Sequence, residues 1–314
     1  MSLPFLQPYF GLSNSLQTAQ ASTGGSGPTR GVFGGGDPYT NVMDYITIAT
    51  LGNATDFGDL SQENLSMAGV SSSTRGVFAG GYTTSDHINV IEYITIATTG
   101  NATDFGDLIH VNYSFAGVNS DVRGVFGGGY DLVYNVVNDL EYITIATTGN
   151  ATTFGDLTQV RYQISGLNSD VRGVFGGGHD GSANVNTIDY ITIATTGNAT
   201  DFGDLSVTRR GSAGVNSDVR GVFGGGYGAS YSNVMDYITI ATLGNATDFG
   251  DLSQANIYTS GLNSSTRGVF GLGYTATGHT NIMEYITIAT TANSIDFGDM
   301  TITKSFCAGI QNGL

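Results

Sequence analysis

The sequence predicts an all-β fold, a six-bladed β-propeller of four-stranded antiparallel blades, and three observations carry that expectation. The first is repetition. Arg-Gly-Val-Phe begins at Arg30, Arg75, Arg123, Arg172, Arg220 and Arg267; Tyr-Ile-Thr-Ile-Ala-Thr follows at Tyr45, Tyr93, Tyr142, Tyr190, Tyr237 and Tyr285; Phe-Gly-Asp closes each unit at Phe57, Phe105, Phe154, Phe202, Phe249 and Phe297. The second is composition: 48 glycines, 17 tyrosines and 16 phenylalanines against 4 prolines suit short strands joined by tight turns. The third is spacing, since every repeated Tyr precedes the next repeated Arg by 30 residues, from Tyr45 to Arg75 through Tyr237 to Arg267. Counted from Tyr285, the next Arg falls beyond Leu314, and Arg30 is the unit's natural continuation. The C-terminal strand within 301–314 is therefore expected to join the first blade and close the ring.

Within a unit, the first strand is the small-residue stretch around Gly69, Gly117, Gly166, Gly214, Gly261 and Gly309, suited to a crowded inner wall. A polar turn such as Asn119-Ser120-Asp121 leads to the second strand, Gly-Val-Phe-Gly-Gly. The third is Tyr-Ile-Thr-Ile-Ala-Thr, dense in β-branched residues. The Gly-Asn pair after it (Gly52-Asn53, Gly100-Asn101, Gly149-Asn150, Gly197-Asn198, Gly244-Asn245) reads as a hairpin turn, and Asp-Phe-Gly-Asp-Leu as the fourth strand. The resulting Asn-Ala-Thr sequons are explained by the turn, without glycosylation. Domain organisation follows: residues 1–29 form an N-terminal arm and linker, and 30–314 the propeller. The arm's apolar Leu3, Phe5, Leu6, Tyr9 and Phe10 are expected to attach it to another subunit or to its own ring.

A formal charge of -16, from 26 acids against 10 bases, argues against nucleic acid and anionic membranes as partners. The N-terminus lacks the basic region and unbroken apolar core of a Sec signal, and no apolar run approaches membrane-spanning length. The lone Cys307 reads as a small apolar core residue. The repeated aspartates Asp59, Asp107, Asp156, Asp204, Asp251 and Asp299 recur with the repeated arginines, so six Asp/Arg sets are expected to tie blades together. The Asp-x-Asp-x-Asp-Gly calcium loop and the His-x-x-x-His pair are absent, and no metal, cofactor or catalytic residue is assigned.

In a propeller the first-to-second and third-to-fourth connections share one face. The other two connections lie opposite, and all the length variation falls there: Arg-to-Tyr spacings run 15, 18, 19, 18, 17 and 18. His87, His179 and His279, the loop tyrosines Tyr39, Tyr130, Tyr134 and Tyr231, and the bases Arg161, Arg209 and Arg210 all map to this variable face and are the candidate partner-binding residues.

The order Gly-Gly, third-strand Tyr and fourth-strand aromatic resembles kelch repeats, which build galactose-oxidase-like propellers; the resemblance covers Arg30 to Leu314, with Phe57 and its equivalents where kelch units usually carry Trp. The near-verbatim Tyr-Ile-Thr-Ile-Ala-Thr-Thr-Gly-Asn-Ala-Thr units are also similar to repeats in virion proteins of marine tailed phages, including cyanophages. That likeness implies a particle component in the virion rather than an enzyme. Its partners would be other virion proteins through the arm, and a host-surface glycan or protein through the variable loops. Two competing expectations are a carbohydrate-binding adhesion module and a hydrolase of host polysaccharide, which needs only two loop carboxylates.

Overall fold

A computed structural model describes residues 29–312, which form six sheets of four antiparallel strands, the sixth with an added two-residue strand at Tyr274–Thr275. The arm, with Leu3, Phe5, Leu6, Tyr9 and Phe10, lies outside the described residues. In the first blade the inner strand is Ala308–Gln311, drawn from the far end of the chain. It pairs with Arg30–Gly34, which pairs in turn with Val42–Thr47 and, beyond that, Thr55–Asp59. The ring closes as the repeat spacing predicts. Inner strands pack against inner strands all the way round, the last against the first.

The closeness of that packing explains the glycines of the inner strand. A Cβ added at Gly166 would lie 2.3 Å from the carbonyl oxygen of Gly117, and one at Gly214 would lie 2.2 Å from that of Gly166. Any side chain would push neighbouring sheets apart. A few residues upstream, a ring of backbone hydrogen bonds runs from blade to blade: the N–H groups of Ser114, Gln163, Gly211, Tyr258, Phe306 and Ser66 donate to the carbonyls of Ser66, Ser114, Gln163, Gly211, Tyr258 and Phe306. All six residues are left-handed, with φ between 51° and 63°. Five of them carry a side chain, and the closed ring of bonds offsets the steric cost of that conformation.

The repeated arginines stitch the middle of each interface. Each guanidinium lies over its own blade's tyrosine, at 4.2 Å for Arg30 over Tyr45 and 4.5 Å for Arg267 over Tyr285. Each also donates to a carbonyl of the next blade, as from Arg172 to Ile240 at 2.7 Å and from Arg267 to Ile48 at 2.8 Å. The expected Asp/Arg ion pairs are therefore corrected. Arg30, Arg75, Arg123, Arg172, Arg220 and Arg267 bind carbonyls, whereas Asp59, Asp107, Asp156, Asp204, Asp251 and Asp299 link blades through their backbone. The Asp59 N–H donates to Asn101 Oδ1 at 3.1 Å, its carbonyl accepts the Ala102 N–H at 2.8 Å, and the last such link joins Asp299 to Asn53 at 3.0 Å.

Two strand assignments shift for the same reason. The Gly-Asn segment is a strap laid along the outer strand of the preceding blade, with Gly100 N–H bonded to Phe57 O, and not a two-residue hairpin. The third strand runs Val42–Thr47 and leaves the sheet before Ile-Ala-Thr; Ile48 stays fully buried while its N–H bonds Thr29 O. Between sheets lie six apolar clusters, for example Leu167, Val174, Ile188, Phe202, Leu205 and Phe223, to which two adjacent blades both contribute. Each such side chain contributes about 1.5 to 3 kcal/mol on burial, so no blade has a core of its own.

Because the inner wall has no room for one methyl group, Gly166→Ala is expected to lower stability by about 1 to 3 kcal/mol, read as a reduced urea midpoint with unchanged slope.

Candidate functional site on the variable face

Each blade presents to this face one residue just after its second strand, paired in a short antiparallel bridge with a residue of the segment entering the blade: Tyr82 with Leu65, Tyr130 with Tyr113, His179 with Tyr162, Tyr227 with Arg210, Tyr274 with Ile257 and Asp37 with Ser305. The bridges hold loop side chains on a rigid base. Their rings form an arc over four blades. Tyr39 meets Tyr82 at 6.0 Å between centroids, His87 stacks on Tyr113 at 4.4 Å, Tyr113 on Tyr130 at 5.2 Å, Tyr130 lies 4.2 Å from Tyr162, and Tyr162 lies 5.1 Å from His179. A second arc runs from Tyr227 through Tyr231 and Tyr274 to His279, whose Nε2 is 3.7 Å from Asp37 on the first blade. Arg210 occupies the gap between the arcs, 5.2 Å over Tyr227 and donating to Asn184 Oδ1 at 3.1 Å.

Burial sets the electrostatics of part of the belt. Burial, followed by the neighbouring Tyr134 and Tyr82, pushes the Tyr113 phenol up to about 12, and burial raises Tyr39 and Tyr130 as well. Burial and then the nearby Arg210 charge lower the His179 imidazole, which stays neutral at neutral pH. Tyr134, on the longest loop, is 64 % exposed beside exposed Leu132 and Val133 and sets its ring edge-on to His87 at 5.2 Å, with the loop tied by Asp131 to the N–H groups of Val133 and Asn135. Inside the belt the channel mouth, about 120 Å³, is lined by side chains of mixed character including Gln163, Tyr258, Phe306 and Cys307. The Cys307 thiol donates to Gly35 O at 3.1 Å, and burial pushes it up to about 12.

Two candidates are corrected. Arg161 and Arg209, expected at the partner-facing surface, are fully buried and pair with Asp189 and Asp236, the latter at 2.8 Å. They belong to a set present in every blade. A carboxylate just before the repeated Tyr accepts from the residue two positions past the aspartate of the neighbouring blade's Phe-Gly-Asp, as Asp236 does from Ser206 Oγ and Glu284 from Ser253 Oγ. Where that carboxylate is Asp (Asp44, Asp189, Asp236) a cation fills the remaining space (Lys304, Arg161, Arg209). Where it is Glu (Glu92, Glu141, Glu284), the longer side chain reaches alone and the cation position is Asn64, Asn112 or Asn256. A buried cation requires a partner, and the chain supplies or omits both together.

The structure brings Tyr39, His87, Tyr130, His179, Arg210, Tyr231 and His279 onto one belt and adds Tyr113 and Tyr162, which sequence reasoning missed. The signal was their offset: each directly follows the half-buried Asn112 or the buried Arg161, in register with Arg210 after Arg209. No family model matches the chain, and no curated protein matches it.

Two tests follow from the buried sets. Arg161→Asn alone leaves Asp189 unpaired and is expected to cost about 3 to 5 kcal/mol, whereas adding Asp189→Glu recreates the pairing of the other three blades and restores most of that loss in a double-mutant cycle. Glu141 is the exception among the glutamates, because Ile109 stands where Glu92 and Glu284 meet a serine hydroxyl. Burial raises its carboxyl, against the Ile109 and His110 N–H groups. A raised carboxyl favours the folded state at low pH and loses that advantage as pH rises through its folded value. Ile109→Ser supplies the missing donor and is expected to stabilise by about 1 kcal/mol at pH 7 but not at pH 4, measured by urea unfolding at both.

Proposed function

We propose that the protein is a non-enzymatic interaction subunit of a tailed-phage particle, a kelch-like propeller attached through residues 1–29 that meets its partner with the variable face. The single observation that carries the interaction reading is the belt, since aromatic side chains gather on the one face where the repeats differ and are held there by bridged, rigid loops. The particle setting is supported by the likeness of the repeats to virion proteins of marine tailed phages. The kelch-like reading is supported by the shared order of Gly-Gly, tyrosine and phenylalanine. A propeller suits display because its sheet edges are short and protected: the inner strands pack against one another round the ring, and each outer strand is covered by a strap from the next blade. Tyrosine rings beside neutral hydroxyl donors favour a saccharide on a host surface as the partner.

The reading is tested with fluorescently labelled full-length protein on host cells. Tyr130→Ala with Tyr162→Ala is expected to abolish adsorption while the urea midpoint of the ring moves little, and Val171→Ala on the opposite face is expected to leave adsorption unchanged. Adsorption equal to wild type in the tyrosine double variant would sink the assignment of this face. Removing residues 1–27 is expected to preserve the fold and abolish incorporation into particles.

A further inference from the structure

We infer that the gap in the aromatic belt, spanned by Arg210, binds a saccharide bearing a carboxylate, of the hexuronic-acid class. The inference rests on the proposed recognition role of this face and names its ligand. Its first support is an imbalance of charge. Of the four bases outside the repeated series, Arg161, Arg209 and Lys304 are fully buried against Asp189, Asp236 and Asp44. Arg210, one residue from Arg209, has no carboxylate within ion-pair distance among the described residues. Its Nη1 is held by Asn184 Oδ1 at 3.1 Å, and its Nε is buried without a hydrogen-bond partner. A half-buried guanidinium fixed on a ring and an amide, yet lacking an anion, is a preorganised receptor for one.

The surroundings leave the charge uncompensated. His179 is neutral, and the nearby Asp180 is turned into its own loop, where the Ser182 hydroxyl and the N–H groups of Ala183 and Ser182 hold its carboxyl at about 2. Tyr130 and Tyr162, 4.2 Å apart, flank the gap on one side and Tyr227 on the other. Rings of this kind take the C–H face of a pyranose, and phenol hydroxyls and the Asn184 amide serve its hydroxyl groups. The net charge of -16 opposes an anion at long range. That field fades over about 8 Å at physiological ionic strength, so the near contact decides.

The experiment compares a tetragalacturonate, its methyl ester and a neutral tetrasaccharide by titration calorimetry on the full-length protein. The acid is expected to bind about tenfold or more tightly than its ester, since a charge-assisted pair is lost on esterification. Arg210→Gln is expected to remove that preference and Arg210→Lys to retain part of it, while Val171→Ala on the opposite face leaves it intact. The ester comparison uses the native chain, so it stands even where an Arg210 variant folds poorly. Equal binding of acid and ester overturns the inference. So does the lack of any saccharide binding by protein that still adsorbs to host cells, an outcome that leaves the recognition role of the face standing; loss of adsorption as well would sink both.

Discussion

Backbone-to-backbone contact between neighbouring inner strands is the constraint on which the rest of the molecule depends. With 2.2 to 2.6 Å between a virtual Cβ on each of these glycines and the preceding blade's carbonyl, that position of the inner wall admits only glycine. That distance sets the radius at which all other blade-to-blade contacts must be made. At the larger radius of the repeated arginines, a flat guanidinium fits between the tyrosine of one sheet and a carbonyl of the next, where an Asp/Arg pair would demand room for a second side chain. At the rim, the strap places an asparagine amide against the neighbour's aspartate N–H. Near-identical repeats are the expected solution because six equivalent interfaces impose the same distances.

The buried carboxylate sets show how that uniformity admits variation. Each interface holds a fixed volume that can be filled by Glu with Asn or by Asp with a cation. The two solutions alternate irregularly round the ring, as Asp44, Glu92, Glu141, Asp189, Asp236 and Glu284. Neither partner is interchangeable singly: a cation beside the longer glutamate would be crowded, and the shorter aspartate beside asparagine would leave unfilled the space that the cation occupies and lose its ion pair. The sets therefore act as local locks, and their choice does not disturb the radius fixed at the inner wall.

Blade number, closure and the two unlike faces were legible in the sequence because each follows from counting: equal return spacings, unequal outgoing ones, and a last unit completed by Arg30. The third-strand frame was not. Ile48 and its equivalents are buried and β-branched, and composition alone does not distinguish a strand from a buried residue whose backbone has already turned to a neighbour. Arg161 and Arg209 were misplaced because they lie in variable segments, which usually face solvent. Superimposing the repeats would have exposed them, since a cation occurs there only where an aspartate precedes the repeated Tyr. Tyr113 and Tyr162 were legible by the same superposition, as the positions next to those buried sites.

That adjacency also explains how the variable face came to hold a belt. Along the segment entering a blade, successive side chains face opposite ways, so Arg209 turns into the sheet toward Asp236 while Arg210 turns to the surface over Tyr227. One position is bound by the interface chemistry and the next differs from blade to blade. Round the ring the second position is Leu65, Tyr113, Tyr162, Arg210, Ile257 and Ser305, a series that shares no physical character and of which Ile257 and Ser305 are buried, whereas the position before it is always polar and buried or half-buried. A scaffold that needed one particular side chain at this position would repeat it as strictly as its glycines. Their divergence over a repeated bridge of backbone hydrogen bonds shows that the ring's geometry fixes the backbone at this position and does not dictate its side chain.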